Sequence, residues 1–173
     1  MIKVGVITIS DRGFKGERED ASGAVIRELV KEWGAQVERS TVVPDEIEKI
    51  AEALMQGADE EHLDLILTTG GTGVSPRDRT PEATLAVADR LVPGFAEAMR
   101  AASLAVTPHA MLSRAVSAVR KRTLIINMPG SPKACREQFA VIAPALPHAV
   151  ETVRGEAFEC ATPAAPPNLA PGA

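Results

Sequence analysis

The chain has 173 residues, 45% hydrophobic and 24% charged, a balance that excludes a wholly disordered polymer and fits a single domain with a core of its own. With 19 Lys and Arg against 23 Asp and Glu the net charge is −4, too acidic for bulk nucleic-acid binding, and no apolar run nears the roughly 18 residues of a membrane span. One Trp, four Phe and no Tyr argue against base-stacking platforms and aromatic cages.

In chain order, Ile2 to Ser10 is rich in β-branched residues and reads as a buried first strand, not a signal peptide. Asp11 to Asp20 is polar with two glycines and reads as a loop. Ala21, Val25, Leu29 and Trp33 recur every four residues, one face of a helix, and Gly34 follows as its terminator. Gln36 to Val43 is a second strand, ended by Pro44. Asp45 with Glu48 resembles a capping box and predicts a helix from Glu46 to about Met55. Leu63 to Thr69 is a third strand and runs into Gly70-Gly71-Thr72-Gly73. Thr80, Pro81 and Glu82 read as N-cap, N1 proline and first-turn acid of a helix reaching about Arg90.

Pro93-Gly94 breaks the chain before a short helix over Phe95 to Leu104, and another short helix is expected behind Pro108 within Thr107 to Arg114. Ala115 to Met128 reads as a hairpin or as a helix end plus strand, with Thr123 to Met128 buried and strand-like. After the turn at Pro129 to Pro132, the stripe Phe139, Ile142, Leu146, Val150 and Val153 is helical, cut into two pieces or kinked by Pro144 and Pro147. Strands alternating with helices predict an α/β fold, a three-layer sandwich with a mostly parallel sheet and helices on both faces. Residues 1–155 form the domain, and residues 156–173, rich in Pro and Ala, read as an extended or disordered tail.

Ligands in open α/β sheets bind beyond the carboxyl ends of the strands. Ser10-Asp11-Arg12, Asp45, Thr68 to Gly73 and Asn127 to Pro132 all follow strands, so small polar residues collect at one edge. The Thr-Thr-Gly-Gly-Thr-Gly run is either a tight turn or a loop whose N–H groups receive a phosphate; it is neither a P-loop nor a GxGxxG fingerprint. Asp78, between Arg77 and Arg79, reads as part of a solvated charged loop or as a carboxylate for a divalent cation beside phosphate-binding arginines. Asp45 reads as an N-cap or as a second such carboxylate. His62, His109 and His148 share no motif, and Cys135 and Cys160 read as free thiols of a cytoplasmic protein, with Cys135 inert.

The segments TISDR (Thr8 to Arg12), PDE (Pro44 to Glu46), TTGGTG (Thr68 to Gly73), PRDRTPEAT (Pro76 to Thr84), PGF (Pro93 to Phe95), LSR (Leu112 to Arg114) and NMPGSP (Asn127 to Pro132) occur in one order. That series resembles the MogA/MoaB family of molybdenum-cofactor biosynthesis proteins and the related G domain of gephyrin, over about Lys3 to Gly155. Arg77-Asp78 followed by Thr80-Pro81 is similar to the adenylyltransferase branch.

The resemblance implies an adenylyltransferase that moves AMP from Mg-ATP onto the molybdopterin phosphate and releases pyrophosphate. It implies Asp45 and Asp78 as catalytic residues, here read as holding Mg²⁺ and not as bases. It implies substrate contacts from Ser10, Asp11, Thr69, Gly70, Gly71, Thr72, Gly73, Ser113, Arg114, Gly130, Ser131 and Pro132. Arg77, Arg79 or Arg114 is expected to offset developing charge. The family also implies a homotrimer, for which apolar residues near Phe95 to Leu104 are candidates, and hand-over to a molybdate-insertion protein. The rival reading is a MoaB-type binding or scaffold protein with little or no turnover.

Overall fold

The structure is a computed structural model and describes residues 1–156. The tail from Ala157 onward, with Cys160, lies outside the described residues. Six strands build one sheet in the order β2-β1-β3-β6-β5-β4, with β1 at Lys3–Ile9, β2 at Gln36–Val43, β3 at Leu65–Thr69, β4 at Arg90–Leu91, β5 at Ser117–Arg120 and β6 at Thr123–Met128. Pairs β1-β2, β1-β3 and β3-β6 are parallel, while β5 is antiparallel to both β4 and β6.

The apolar runs of the central strands are continuous because both faces are covered. Side chains alternate across a strand, so Val4, Val6, Leu65, Leu67, Leu124 and Ile126 pack on one side with α2 (Ala21–Glu32), α5 (Pro93–Leu104), α6 (Pro132–Ile142) and α7 (Leu146–Arg154). Ile7, Ile66 and Ile125 pack on the other side with α3 (Ile47–Met55) and α4 (Thr80–Val87). The expected three-layer α/β sandwich is the observed one.

Several local expectations need correction. The supposed loop after β1 opens with a one-turn helix, α1 (Asp11–Phe14), because Ser10 Oγ accepts from Gly13 N at 3.0 Å and caps it. Asp45 does not cap α3; Glu46 takes the N-cap position, and the Asp45 carboxylate accepts instead from Asp11 N at 2.8 Å. Thr80 is the first residue of α4 and not its cap, and its buried hydroxyl donates to Gly70 O at 2.8 Å. That helix ends at Val87, short of Arg90, and Arg90–Leu91 is the edge strand β4. Pro93 does not break the chain there; it opens α5, where a missing N–H is harmless. The hairpin alternative holds for β5 and β6, and α6 and α7 are two pieces joined by a 3-10 turn at Ala143–Ala145.

Inside the sheet, Asn127 Nδ2 donates to Thr68 Oγ1 and Thr84 Oγ1, each at 3.0 Å, and its Oδ1 accepts from Val116 N at 3.2 Å. All three side chains are fully buried, so the network ties β3, β6 and α4 together behind the strand ends. Cys135 is buried, and the loss of solvation pushes its thiol up to about 11, as expected for an inert group.

Candidate functional site

The parallel register makes the carboxyl ends of the strands level. Thr8 pairs with Thr69, Thr69 with Met128, and Ile9 with Val43. Four loops therefore leave the sheet side by side: Ser10-Asp11 after β1, Pro44-Asp45 after β2, Gly70 to Gly73 after β3 and Pro129 to Ser131 after β6. The chain crosses from β1 to one side for β2 and to the other for β3, which makes the β1/β3 edge the topological switch point of the sheet.

A cavity of about 160 Å³ opens at this edge, and Ser10, Gly70, Gly130 and Pro132 line it together with Thr8 and Asp20. Thr8 Oγ1 is buried in this wall without a hydrogen-bond partner among the described residues. Sequence reasoning passed over Thr8 and Asp20. The available signal was a hydroxyl one residue before the end of an otherwise apolar strand, and an aspartate placed to cap α2 through Gly23 N at 2.8 Å.

Asp11 and Asp45 form a reciprocal pair next to this cavity: Asp11 N donates to Asp45 Oδ2 at 2.8 Å, and Asp45 N to Asp11 Oδ1 at 3.0 Å. Arg77 grips Asp11 with two bonds, Nε to Oδ2 at 2.9 Å and Nη2 to Oδ1 at 2.8 Å. The hydrogen bond from Arg77 is the main reason that the Asp11 carboxyl lies below its ordinary range. Asp11 thus braces the Asp45 and Arg77 loops. Asp45 has the opposite shift: desolvation raises it first, and the charges of Asp11 and Asp78 add to that against the bond from Asp11 N.

The glycine loop touches both aspartates. A Cβ on Gly71 would stand 3.3 Å from Asp45 Oδ1, and one on Gly73 would stand 2.8 Å from Asp78 Oδ2. Asp78 Oδ2 accepts from Ser75 N at 2.9 Å. Neither Asp45 Oδ1 nor Asp78 Oδ1 has a hydrogen bond among the described residues.

Other expected contacts have different duties. Thr69 is fully buried and its hydroxyl donates to Pro129 O at 2.6 Å, which ties the end of β3 to the loop after β6. Thr72 is buried and its carbonyl accepts from Arg114 N at 2.8 Å. Ser131 caps α6 through Ala134 N at 3.1 Å. Ser113 Oγ accepts from Ala115 N at 3.4 Å. The Arg114 guanidinium is committed to Gly73 O at 2.6 Å, Asp78 O at 2.7 Å and the Glu82 carboxylate. Of the three arginines named for charge offset, Arg77 and Arg114 are engaged, and Arg79 is exposed in the shallow cleft beside Asp78. A larger cavity, about 600 Å³, lies at the amino-terminal edge of the sheet, where Arg154 and Lys121 are tied to Asp64 and Asp59. It is remote from these loops.

Fold and site together define a doubly wound α/β domain with a glycine loop and two carboxylates close to it at its switch point. Residues 5–148 match the family described as "Probable molybdopterin binding domain", and the chain belongs to that family. It is 43% identical over 156 residues to the molybdopterin adenylyltransferase of Helicobacter pylori strain J99, covering 89% of each chain. Among solved structures it is similar to the molybdopterin biosynthesis enzyme MoaB of Thermus thermophilus, with a TM-score of 0.86, 52% identity, and coverage of 92% of this chain and 100% of that one. The molybdopterin biosynthesis Mog protein of Mycobacterium ulcerans gives a TM-score of 0.82, 41% identity, and coverage of 88% and 99%.

Proposed function

We propose that the chain is a molybdopterin adenylyltransferase that transfers AMP from Mg-ATP to the molybdopterin phosphate. The observation that carries this reading is that Asp45 and Asp78 both lie against one glycine loop at the switch point. The relatives named as adenylyltransferases support it.

In the reaction, an oxygen of the molybdopterin phosphate forms a bond to the α-phosphorus of ATP. The bond from that phosphorus to the bridging oxygen breaks, and pyrophosphate leaves with the electron pair. The attacking phosphate is already anionic at pH 7, so positioning and charge neutralisation matter more than a base. The open N–H groups of Gly70 to Gly73 receive the acceptor phosphate. Ser10, Gly130 and Pro132 shape the adjoining cavity, with the Thr8 hydroxyl available to it.

Asp45 and Asp78 fit a magnesium ion, because each keeps one carboxylate oxygen free of hydrogen bonds, and two carboxylates plus substrate phosphates are the usual Mg²⁺ set. When bound, the ion supplies neutralisation of the ATP phosphates. Arg79, exposed beside Asp78, would offset charge on the leaving group in this reading.

Mixing the protein with molybdopterin, α-labelled ATP and Mg²⁺ should give labelled adenylyl-molybdopterin and pyrophosphate in equal amounts. Tight pterin binding without label transfer would instead establish the second reading, a MoaB-type binding or scaffold protein. The 52% identity to the Thermus MoaB favours that reading in such a case.

The chain works in the cytoplasm as a homotrimer in this reading and passes its product to a molybdate-insertion protein. Exposed Leu91, Leu104, Val106, Met111 and Leu112 give the α5 side an apolar surface for such packing. No helix among the described residues is long and apolar enough to cross a membrane. Sedimentation equilibrium should return three times the 18.2 kDa chain mass, and Leu104→Glu should shift it to one. A wild-type mass of one chain would sink the trimer.

A further inference from the structure

We infer that Arg114 acts as the positioning residue for Asp78, holding that carboxylate at the glycine loop without touching substrate; this rests on the proposed role of Asp78. The segment from Gly73 to Arg79 contains no buried residue, so apolar packing does not anchor it. Its internal bonds, Ser75 N to Asp78 Oδ2 and Asp78 N to Ser75 O, each 2.9 Å, fix its shape but not its place. Apart from the Arg79 carbonyl, which accepts from Ala83 N at 3.1 Å where α4 begins, two side-chain tethers hold it among the described residues. One is the Arg77–Asp11 pair, exposed and open to screening. The other is Arg114.

Arg114 holds the segment at both ends. Nε donates to Gly73 O at 2.6 Å and Nη2 donates to Asp78 O at 2.7 Å, while its own N–H donates to Thr72 O at 2.8 Å. Nη1 donates to Glu82 in the first turn of α4, which fixes the plane of the guanidinium. That bond is the main reason that Glu82 lies below the ordinary carboxylate range and stays charged. One rigid fork thus spans residues 73 and 78 and fastens both to α4. A lysine has no second arm for the same bridge. With Gly73 and Asp78 tied by one group, the Asp78 carboxylate and the glycine N–H groups move together.

The test is a double-mutant cycle on adenylyl transfer with Arg114→Ala and Asp78→Asn, with hydrogen exchange of residues 73–79 measured in parallel. Arg114→Ala should lower kcat about 100-fold, the scale of a loss from misplacement, while the KM for molybdopterin changes less than about 2-fold. In the Asp78→Asn background the same change should add no further loss, because the group it positions is already gone. Arg114→Lys, which keeps the charge and the stem, should fold and yet stay close to Arg114→Ala in rate. Losses that multiply in the double variant would mean direct action on substrate and would overturn the inference, as would a wild-type rate in Arg114→Ala or Arg114→Lys. The exchange readout does not need turnover: the Asp78 amide should exchange faster in both Arg114 variants, and unchanged exchange overturns the inference. Absence of transfer by the wild-type protein, or full activity of Asp78→Asn, would count against the proposed function instead.

Discussion

Gly70→Ala should unfold far more readily than the parent protein and lose ligand binding with it. Gly70 follows β3 at once and has φ +96°, a conformation that L side chains rarely adopt. An added Cβ would fall inside the van der Waals envelope of the Ile9 carbonyl oxygen, and that oxygen belongs to backbone at the end of β1. Relief requires moving either the end of a central strand or the loop that carries Asp78. The left-handed conformation costs roughly 1–2 kcal/mol for a residue with a Cβ. The overpacking costs roughly 1–3 kcal/mol more. Together they remove a large share of the roughly 5–15 kcal/mol that holds a domain folded.

Gly16 is the internal control. Its φ is +73°, but an added Cβ would meet nothing within 4 Å, so Gly16→Ala should show only the conformational cost. Urea midpoints of the two variants against the parent decide the matter. Equal shifts for the two would mean that the Gly70 contact with Ile9 is irrelevant.

What the sequence disclosed depended on how local the governing interaction is. The central strands were legible because each is a run of β-branched and apolar residues buried on both faces. The edge strand Arg90–Leu91 was not, since two exposed residues carry no pattern and exist as a strand only through β5. Asp45 looked like a helix cap because Glu48 follows it. Its carboxylate is claimed instead by Asp11 N, 34 residues away. The same holds for the site. The strand ends pointed to Asp45 and the glycine loop, while the family resemblance singled out Asp45 and Asp78 together; Asp78 lies nine residues beyond β3, against Gly73. The hydrogen bond of Thr69 to Pro129 was not legible, because that partner lies 60 residues away. The proposed duty of Arg114 was hidden, because the partners of its guanidinium lie 32 to 41 residues back and none shares its element.

Asp45→Asn should lower adenylyl transfer about 1000-fold, the scale set by removal of one preorganised electrostatic group, and raise stability at pH 7. Both effects come from the same half-buried charge. Desolvation is the largest reason that Asp45 is raised above its ordinary value of 3.8, with Asp11 and Asp78 adding repulsion. For a carboxyl raised on folding, the stabilising contribution is complete below the unfolded value of 3.8 and disappears as pH rises through the folded one. At pH 7 the ionised group therefore works against the fold, and in the proposed reading a bound cation would offset its charge. Asparagine can keep the bond from Asp11 N while removing the charge, so the variant should melt at a higher temperature. The pH profile of kcat/KM, which reports the free enzyme, should show an acid limb above 3.8. Asp11 adds a separate and lower transition, because Arg77 depresses it and its contribution is lost only as pH falls through that lowered value. Near wild-type turnover of Asp45→Asn at saturating Mg²⁺ would remove Asp45 from the metal site. A variant that loses activity and stability together would show that the charge is structural, with its repulsion already relieved by the fold.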